Sequence, residues 1–216
     1  MQEIPLFKNY KILGFFSKKI SKTEVSKVYS HIFFPKQIHS DIIIEVSSPL
    51  ISFSKEGDAV ITTLKGQTIG VQSADCVPLL IAHKEKKVVA AVHAGWRGTL
   101  KKILYKTLNA IVNYGFKAED LLIAIGPHIQ ASCYEIGKEV LDNLETSFKK
   151  EPFLFKKNGK YYLNLAQLNL IQALEMGVKR ENIWISEECT HCLAHKYHSY
   201  RREGNLNYTQ IAIITS

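Results

Sequence analysis

The feature that most constrains this chain is a junction near its middle. Residues 88–93 (Val-Val-Ala-Ala-Val-His) form an unbroken apolar run that stops at Ala94-Gly95-Trp96-Arg97-Gly98. Beyond it, Leu100, Ile103, Leu104, Leu108, Ile111 and Val112 recur at three- and four-residue spacing, and Asn113 and Gly115 close the pattern. The first run reads as a buried strand and the second as one face of a helix. Two glycines allow a tight turn between them. The first amides of a helix lack internal partners, and with the helix dipole they favour an anion. A strand feeding a helix in this way predicts an α/β chain.

The rest of the chain repeats the alternation. Residues 42–46, 59–63, 68–73, 77–82, 121–125, 183–186 and 209–215 read as short strands. Helices are expected over 137–148 and from a cap at Asn164 to Gly177. No repeat or low-complexity linker divides the sequence. The expectation is a single α/β (α+β) domain over residues 1–216, with mixed β-sheets sandwiched by helices. The pattern does not order the strands. At 216 residues and 46% hydrophobic content the chain buries a core without disulfide or metal staples.

Composition excludes several classes. No apolar run approaches the roughly 18 residues that cross a bilayer. The first residues carry Glu3 and several lysines in place of a signal peptide's apolar stretch. A cytoplasmic protein without a membrane partner is expected. Four cysteines are too few for a disulfide scaffold. The formal charge of +8 permits an anionic partner. The lysines are scattered, however, and no zinc finger of proper spacing or aromatic RNA signature is present, so nucleic acid is not expected. The arginines are more telling. There are only four, and Arg97, Arg201 and Arg202 fall in the two segments richest in chemistry. A guanidinium grips phosphate or carboxylate with two bonds, which an ammonium cannot do.

Three candidate ligands sit at the ends of three separate strands. His93 ends the 88–93 run, Cys76 follows Asp75 between two strands, and His39 precedes the 42–46 run. Two His and one Cys suit zinc with one position left open, and widely separated single ligands fit a catalytic metal. Asp75 reads as a group that orients a ligand or as an acid or base. The plain alternative is that such His and Cys are structural. Cys189-Thr190-His191-Cys192 with His195 and His198 invites a second metal site, although zinc fingers use a longer spacer between ligand pairs. A redox C-x-x-C lacks a thioredoxin-like context. Tyr200-Arg201-Arg202 offers an aromatic face and two guanidiniums, or only a basic surface. Glu135, after Cys133-Tyr134, reads as a catalytic acid or a helix cap.

Taken in order, these segments resemble one family. Gln37-Ile38-His39, Ser73-Ala74-Asp75-Cys76-Val77-Pro78, His93-Ala94-Gly95-Trp96-Arg97-Gly98, Gly126-Pro127-His128-Ile129 with Cys133-Tyr134-Glu135, and Ser199-Tyr200-Arg201-Arg202-Glu203-Gly204 match the bacterial YfiH-type family. That family was long described as laccase-domain or polyphenol oxidase proteins and is now described as purine nucleoside phosphorylases. The resemblance spans about residues 10–215. It implies one zinc per chain, held by His39, Cys76 and His93. It implies phosphorolysis of adenosine, inosine, guanosine and S-methyl-5'-thioadenosine, and deamination of adenosine. On this reading His39, Cys76, His93 and Asp75 form the catalytic centre of a monomer. Arg97, Tyr200, Arg201 and Arg202 hold phosphate and base, and Gln37, Ser40 and Glu135 contact the nucleoside. The chain departs from the family at Ser40, where Gly is usual, at Phe16–Ile20, and at Asn207-Tyr208.

Two other enzyme classes use the same residues. A copper-dependent polyphenol oxidase needs about ten ligands, mostly paired as His-x-His, to hold four coppers. This chain has eight His and no His-x-His. A cysteine hydrolase would use Cys76 as nucleophile and His93 as base.

Overall fold

The computed structural model describes residues 1–48, 51–144 and 153–216. The chain opens with α1 (Pro5–Asn9), β1 (Gly14–Phe16), β2 (Ile20–Ser21) and α2 (Lys22–Val28). It continues with β3 (Ile43–Val46), β4 (Ala59–Thr62), β5 (Thr68–Ser73), β6 (Val77–His83) and β7 (Val89–Ala94). Then come α3 (Trp96–Leu100), α4 (Ile103–Asn113), β8 (Leu121–Ile125), β9 (Glu135–Ile136) and α5 (Lys138–Asn143). The last elements are β10 (Leu154–Lys157), β11 (Lys160–Leu163), α6 (Leu165–Glu175), β12 (Ile183–Ile185), α7 (Tyr200–Glu203) and β13 (Tyr208–Thr215).

The apolar runs are buried on both faces because they form the middle layer. Strands β12-β8-β6-β7-β4-β3 make a six-stranded sheet. Its β12–β8 and β3–β4 pairs are parallel and its inner pairs antiparallel. Side chains alternate across a strand. Leu79, Ile81, Ala90 and Val92 therefore join a core with α4 and α6. Leu80, Ala82, Val89 and Ala91 join another with Val71, Ala212 and Ile214 of a second sheet. In that sheet β13 pairs antiparallel with β1, β2 and β5. Val25 of α2 covers its far side, against Ile211 and Ile213. A two-sided apolar strand is what a central layer requires. The fold is mixed α/β: two packed sheets with helices on their outer faces, and a third, three-stranded antiparallel sheet, β10-β11-β9.

Two helix expectations are corrected. The run from Leu100 to Val112 is not one helix. It breaks at Lys102, which adopts left-handed backbone (φ 61°, ψ 42°) between α3 and α4. The apolar spacing survives because both pieces face the same sheet. The expected helix over 137–148 is α5, which ends at Asn143, and residues 145–148 of that expectation lie outside the described residues. The Asn164 cap is present, with its side chain accepting the Gln167 N–H at 3.0 Å.

Candidate metal centre and substrate cleft

One end of the large sheet gathers the site. Pairing β6 with β7 sets Val77 opposite Ala94 and Pro78 opposite His93, which brings Cys76 beside the end of β7. Pairing β4 with β7 sets Ala59 opposite Val92, and the residue before it, Asp58, meets His93. The His93 N–H donates to the Asp58 carbonyl at 2.7 Å. His39 arrives on the loop ahead of β3, in left-handed backbone (φ 58°). The ligand atoms of His39, Cys76 and His93 all lie within 4.8 Å of one another. The two imidazoles meet edge to face, 4.9 Å between centroids.

Asp58 organises this triad and was not singled out from the sequence. It is fully buried. One oxygen pairs with His93 Nδ1 at 2.8 Å, which turns the other ring nitrogen to Cys76. The N–H groups of Ile38, His39 and Ser40 converge on the same carboxylate at 3.2, 3.1 and 2.6 Å. The Ser40 hydroxyl adds a bond of 2.7 Å. One buried carboxylate thus fixes the ring of His93 and the backbone around His39. Burial pushes its carboxyl up, but His93 and Ser40 more than offset that and hold it at about 2. The signal available in the sequence was its place: an acid at the head of a buried strand, as Cys76 is a thiol at the head of another.

The electrostatics of the triad suit a cation. Burial pushes the Cys76 thiol up, yet the His93 and His39 imidazoles bring it down to about 6. Burial pushes His93 down, while the Cys76 sulfur and the Asp58 carboxylate raise it to about 9. Two imidazole nitrogens and a readily formed thiolate are a donor set that fits zinc.

The glycines sit where the chain turns from β7 directly into α3, and Gly95 makes that turn in ordinary extended backbone (φ −71°). A Cβ there would lie 3.1 Å from both Cys76 Sγ and the His39 ring. A Cβ at Gly98 would lie 2.8 Å from the Ser40 carbonyl oxygen. Both glycines let the ligand loops approach the turn. The helix that follows is only five residues long, so its dipole adds little to an anion site.

The triad opens into a cleft of about 710 Å³, within the range of small-molecule sites. Of the expected residues, Gln37, His39, Asp75, Cys76, His93, Arg97, Tyr200 and Arg201 line it. Trp96 and Tyr134 line it too and were not expected. Arg97 stacks on Trp96 at 4.2 Å and Arg201 lies over Tyr134 at 5.2 Å. Arg97 also pairs with Glu139 at 2.6 Å.

Other expected residues are engaged elsewhere. Arg202 donates to the carbonyls of Thr190, His191 and Tyr197, and so braces a loop. Glu135 pairs with Lys160 at 2.9 Å. Ser40 is taken up by Asp58. Gln37 borders the cleft, but both ends of its amide are bonded to the backbone of Gln72 at 2.7 Å. Asp75 accepts from the Thr190 and Ser199 hydroxyls and the Arg201 N–H, at 2.6, 2.9 and 2.7 Å. It ties the 190–201 segment to the β5–β6 turn and contacts no ligand of the triad through these bonds.

Comparison with known proteins decides the family. A family model described as multi-copper polyphenol oxidoreductase laccase matches residues 18–215. The chain belongs to that family. Proteins similar to it carry other names. A purine nucleoside phosphorylase of Aquifex aeolicus is 39% identical over 176 residues, covering 80% of this chain and 77% of its own. Adenosine deaminase RL5, from an unknown prokaryotic organism, is 34% identical over 154 residues, covering 68% of this chain and 57% of its own. The crystal structure of YlmD from Geobacillus stearothermophilus has the same fold. Its TM-score is 0.85 at 22% identity, over all of this chain and 97% of that one.

Among the described residues no helix is long and apolar enough to cross a membrane.

Proposed function

We propose that this member of the family is a zinc-dependent purine nucleoside phosphorylase that also deaminates adenosine. Its substrates on this reading are adenosine, inosine, guanosine and S-methyl-5'-thioadenosine. The observation that carries it is the opening of the His39–Cys76–His93 triad into a cleft lined by four aromatic rings, those of Phe53, Trp96, Tyr134 and Tyr200, and two guanidiniums. The names of the Aquifex and RL5 relatives support the two activities.

His39, Cys76 and His93 would hold the zinc, which would supply a Lewis acid for activating water. The chain's residues do the rest. Trp96, Tyr134 and Tyr200 provide faces on which a purine stacks. Burial pushes the Tyr134 hydroxyl up, so that ring stays neutral beside an incoming base. Arg97 and Arg201 provide planar donors for phosphate. The Arg97–Glu139 pair is exposed on both sides, so phosphate displaces the carboxylate at little cost. In phosphorolysis a phosphate oxygen bonds to the ribose C1', the C1'–N9 bond breaks, and the purine leaves with that electron pair and takes up a proton. Asp75 holds the segment that presents Tyr200 and Arg201. Asp58 holds His93 and His39.

The test incubates zinc-loaded protein with adenosine, with and without phosphate, beside a His93→Ala control. Adenine formed only with phosphate and only by the unaltered chain supports phosphorolysis. Inosine in both buffers supports deamination. Neither product from the unaltered chain overturns the proposal.

The Cys76–His93 pair also favours a second reading. A thiolate beside an imidazolium is the arrangement of a cysteine nucleophile. Zinc distinguishes them: on the first reading it protects Cys76 from alkylation and is required for turnover, while on the second it inhibits.

A further inference from the structure

The C-x-x-C of the sequence gains its partner from another segment. Strands β8 and β12 are parallel neighbours, so the segments that leave them run side by side. A parallel bridge pairs His128 with Cys189, and the Thr190 N–H donates to the His128 carbonyl at 3.0 Å. The first segment then turns at residues 131–133 and delivers Cys133. Its sulfur lies 3.3 Å from Cys192 Sγ. These two sulfurs and a ring nitrogen of His191 all lie within 4.8 Å of one another. Cys189 contacts the Cys192 side chain, with its sulfur outside the 4.8 Å group that the other three ligand atoms form. Its sulfur accepts the Gln130 N–H at 3.4 Å, and the N–H groups of His191 and Cys192 also aim at it. His198, which the sequence grouped with this cluster, is held instead by Glu203 and the Asn205 carbonyl.

We propose that Cys133, His191 and Cys192, with Cys189 of the same C-x-x-C swinging in as the fourth ligand, form a second metal site, which takes a thiophilic tetrahedral cation, zinc. Three thiolates and one imidazole are the donor set of a structural zinc site, in which the protein supplies all four ligands. With Zn–S of about 2.3 Å, two sulfurs of such a tetrahedron stand about 3.8 Å apart. The 3.3 Å between Cys133 and Cys192 needs only a small outward shift. Soft thiolates select zinc over calcium or magnesium. The site shares no ligand with the His39 triad.

The position explains what such an ion does. Cys133 precedes Tyr134 on one wall of the cleft. Thr190, inside the C-x-x-C, bonds Asp75, which in turn holds the Arg201 N–H on the other wall. Zinc joins the two walls behind the substrate space. It is a staple and takes no part in chemistry.

The test counts metal in the full chain, purified under reducing conditions and desalted. Mass spectrometry of metals is expected to find two zinc per unaltered chain. One is expected in His39→Ala, and one in Cys133→Ser and in Cys192→Ser. Cobalt provides a second readout, because thiolate-to-cobalt absorption scales with the number of thiolates. The His39→Ala protein is expected to keep about threefold stronger absorption than Cys133→Ser. Circular dichroism checks the fold of each variant. If a serine variant unfolds, cobalt titration of the unaltered chain decides alone, by two equivalents against one. A single zinc in the unaltered chain, with the cobalt spectrum of one thiolate, overturns the proposal. So does a single zinc together with two thiols missing on titration of denatured chain purified in parallel without reductant, which would make Cys133 and Cys192 a redox pair.

Discussion

Replacing Asp58 by Asn keeps the shape of the side chain and removes its charge. The amide then presents N–H groups to the N–H groups of residues 38–40, and it no longer favours His93 with its other ring nitrogen turned to Cys76. Loss of such a partner costs about 10- to 100-fold in metal affinity. A zinc titration against a chromophoric chelator is expected to show that loss in Asp58→Asn; equal affinity would refute the assigned role. Gly95→Ala tests the close approach from the other side. Its methyl would stand 3.1 Å from Cys76 Sγ and the His39 ring, so metal affinity falls while the fold persists. Gly98→Ala meets backbone at 2.8 Å, which cannot swing away. A loss of about 1–3 kcal/mol on urea unfolding is expected there. At this scale the sequence was informative where chemistry shows in residue type. His39, Cys76 and His93 were legible as candidate ligands at strand ends, and their ligand atoms lie within 4.8 Å of one another. Asp58 was not, because an acid before a strand resembles any surface acid until the β4–β7 pairing buries it against His93.

Elements were readable where a period or a cap announces them. Strands β6, β7 and β8 are apolar on both faces, and α6 begins at a side-chain cap. The break between α3 and α4 carries no such mark. Left-handed backbone normally calls for Gly, and here a lysine occupies it. The cost for an L-residue is about 1–2 kcal/mol. Lys102→Gly is therefore expected to stabilise the protein by about 1 kcal/mol, read as a higher urea midpoint at unchanged slope. A decrease would show that the side chain, which reaches over the Tyr105 ring at 5.9 Å, contributes more than the strain. Strand order was also beyond the sequence. The crossover that places β12 beside β8 depends on how α6 packs against the large sheet, not on any local pattern. That crossover is what brings Cys133 to Cys192 and Thr190 to Asp75.

The whole molecule carries a formal charge of +8, and composition alone could not say whether this mattered. The cleft collects Lys22, Lys36, Arg97 and Arg201 at its lining, with Asp75 the acid among them, so the excess is local as well as global. A cleft of one sign concentrates the oppositely charged substrate. The two proposed substrates of phosphorolysis differ in this respect: phosphate is an anion and adenosine is neutral. Raising ionic strength from about 0.01 M to about 0.15 M shortens the screening length from about 30 Å to about 8 Å. The KM for phosphate is expected to rise over that range, while the KM for adenosine and the rate of deamination change little. Arg201→Gln is expected to raise the phosphate KM and to flatten its salt dependence, leaving zinc content intact. If both substrates respond to salt alike, the charge acts on the fold and not on phosphate, and Arg97 and Arg201 do not grip it.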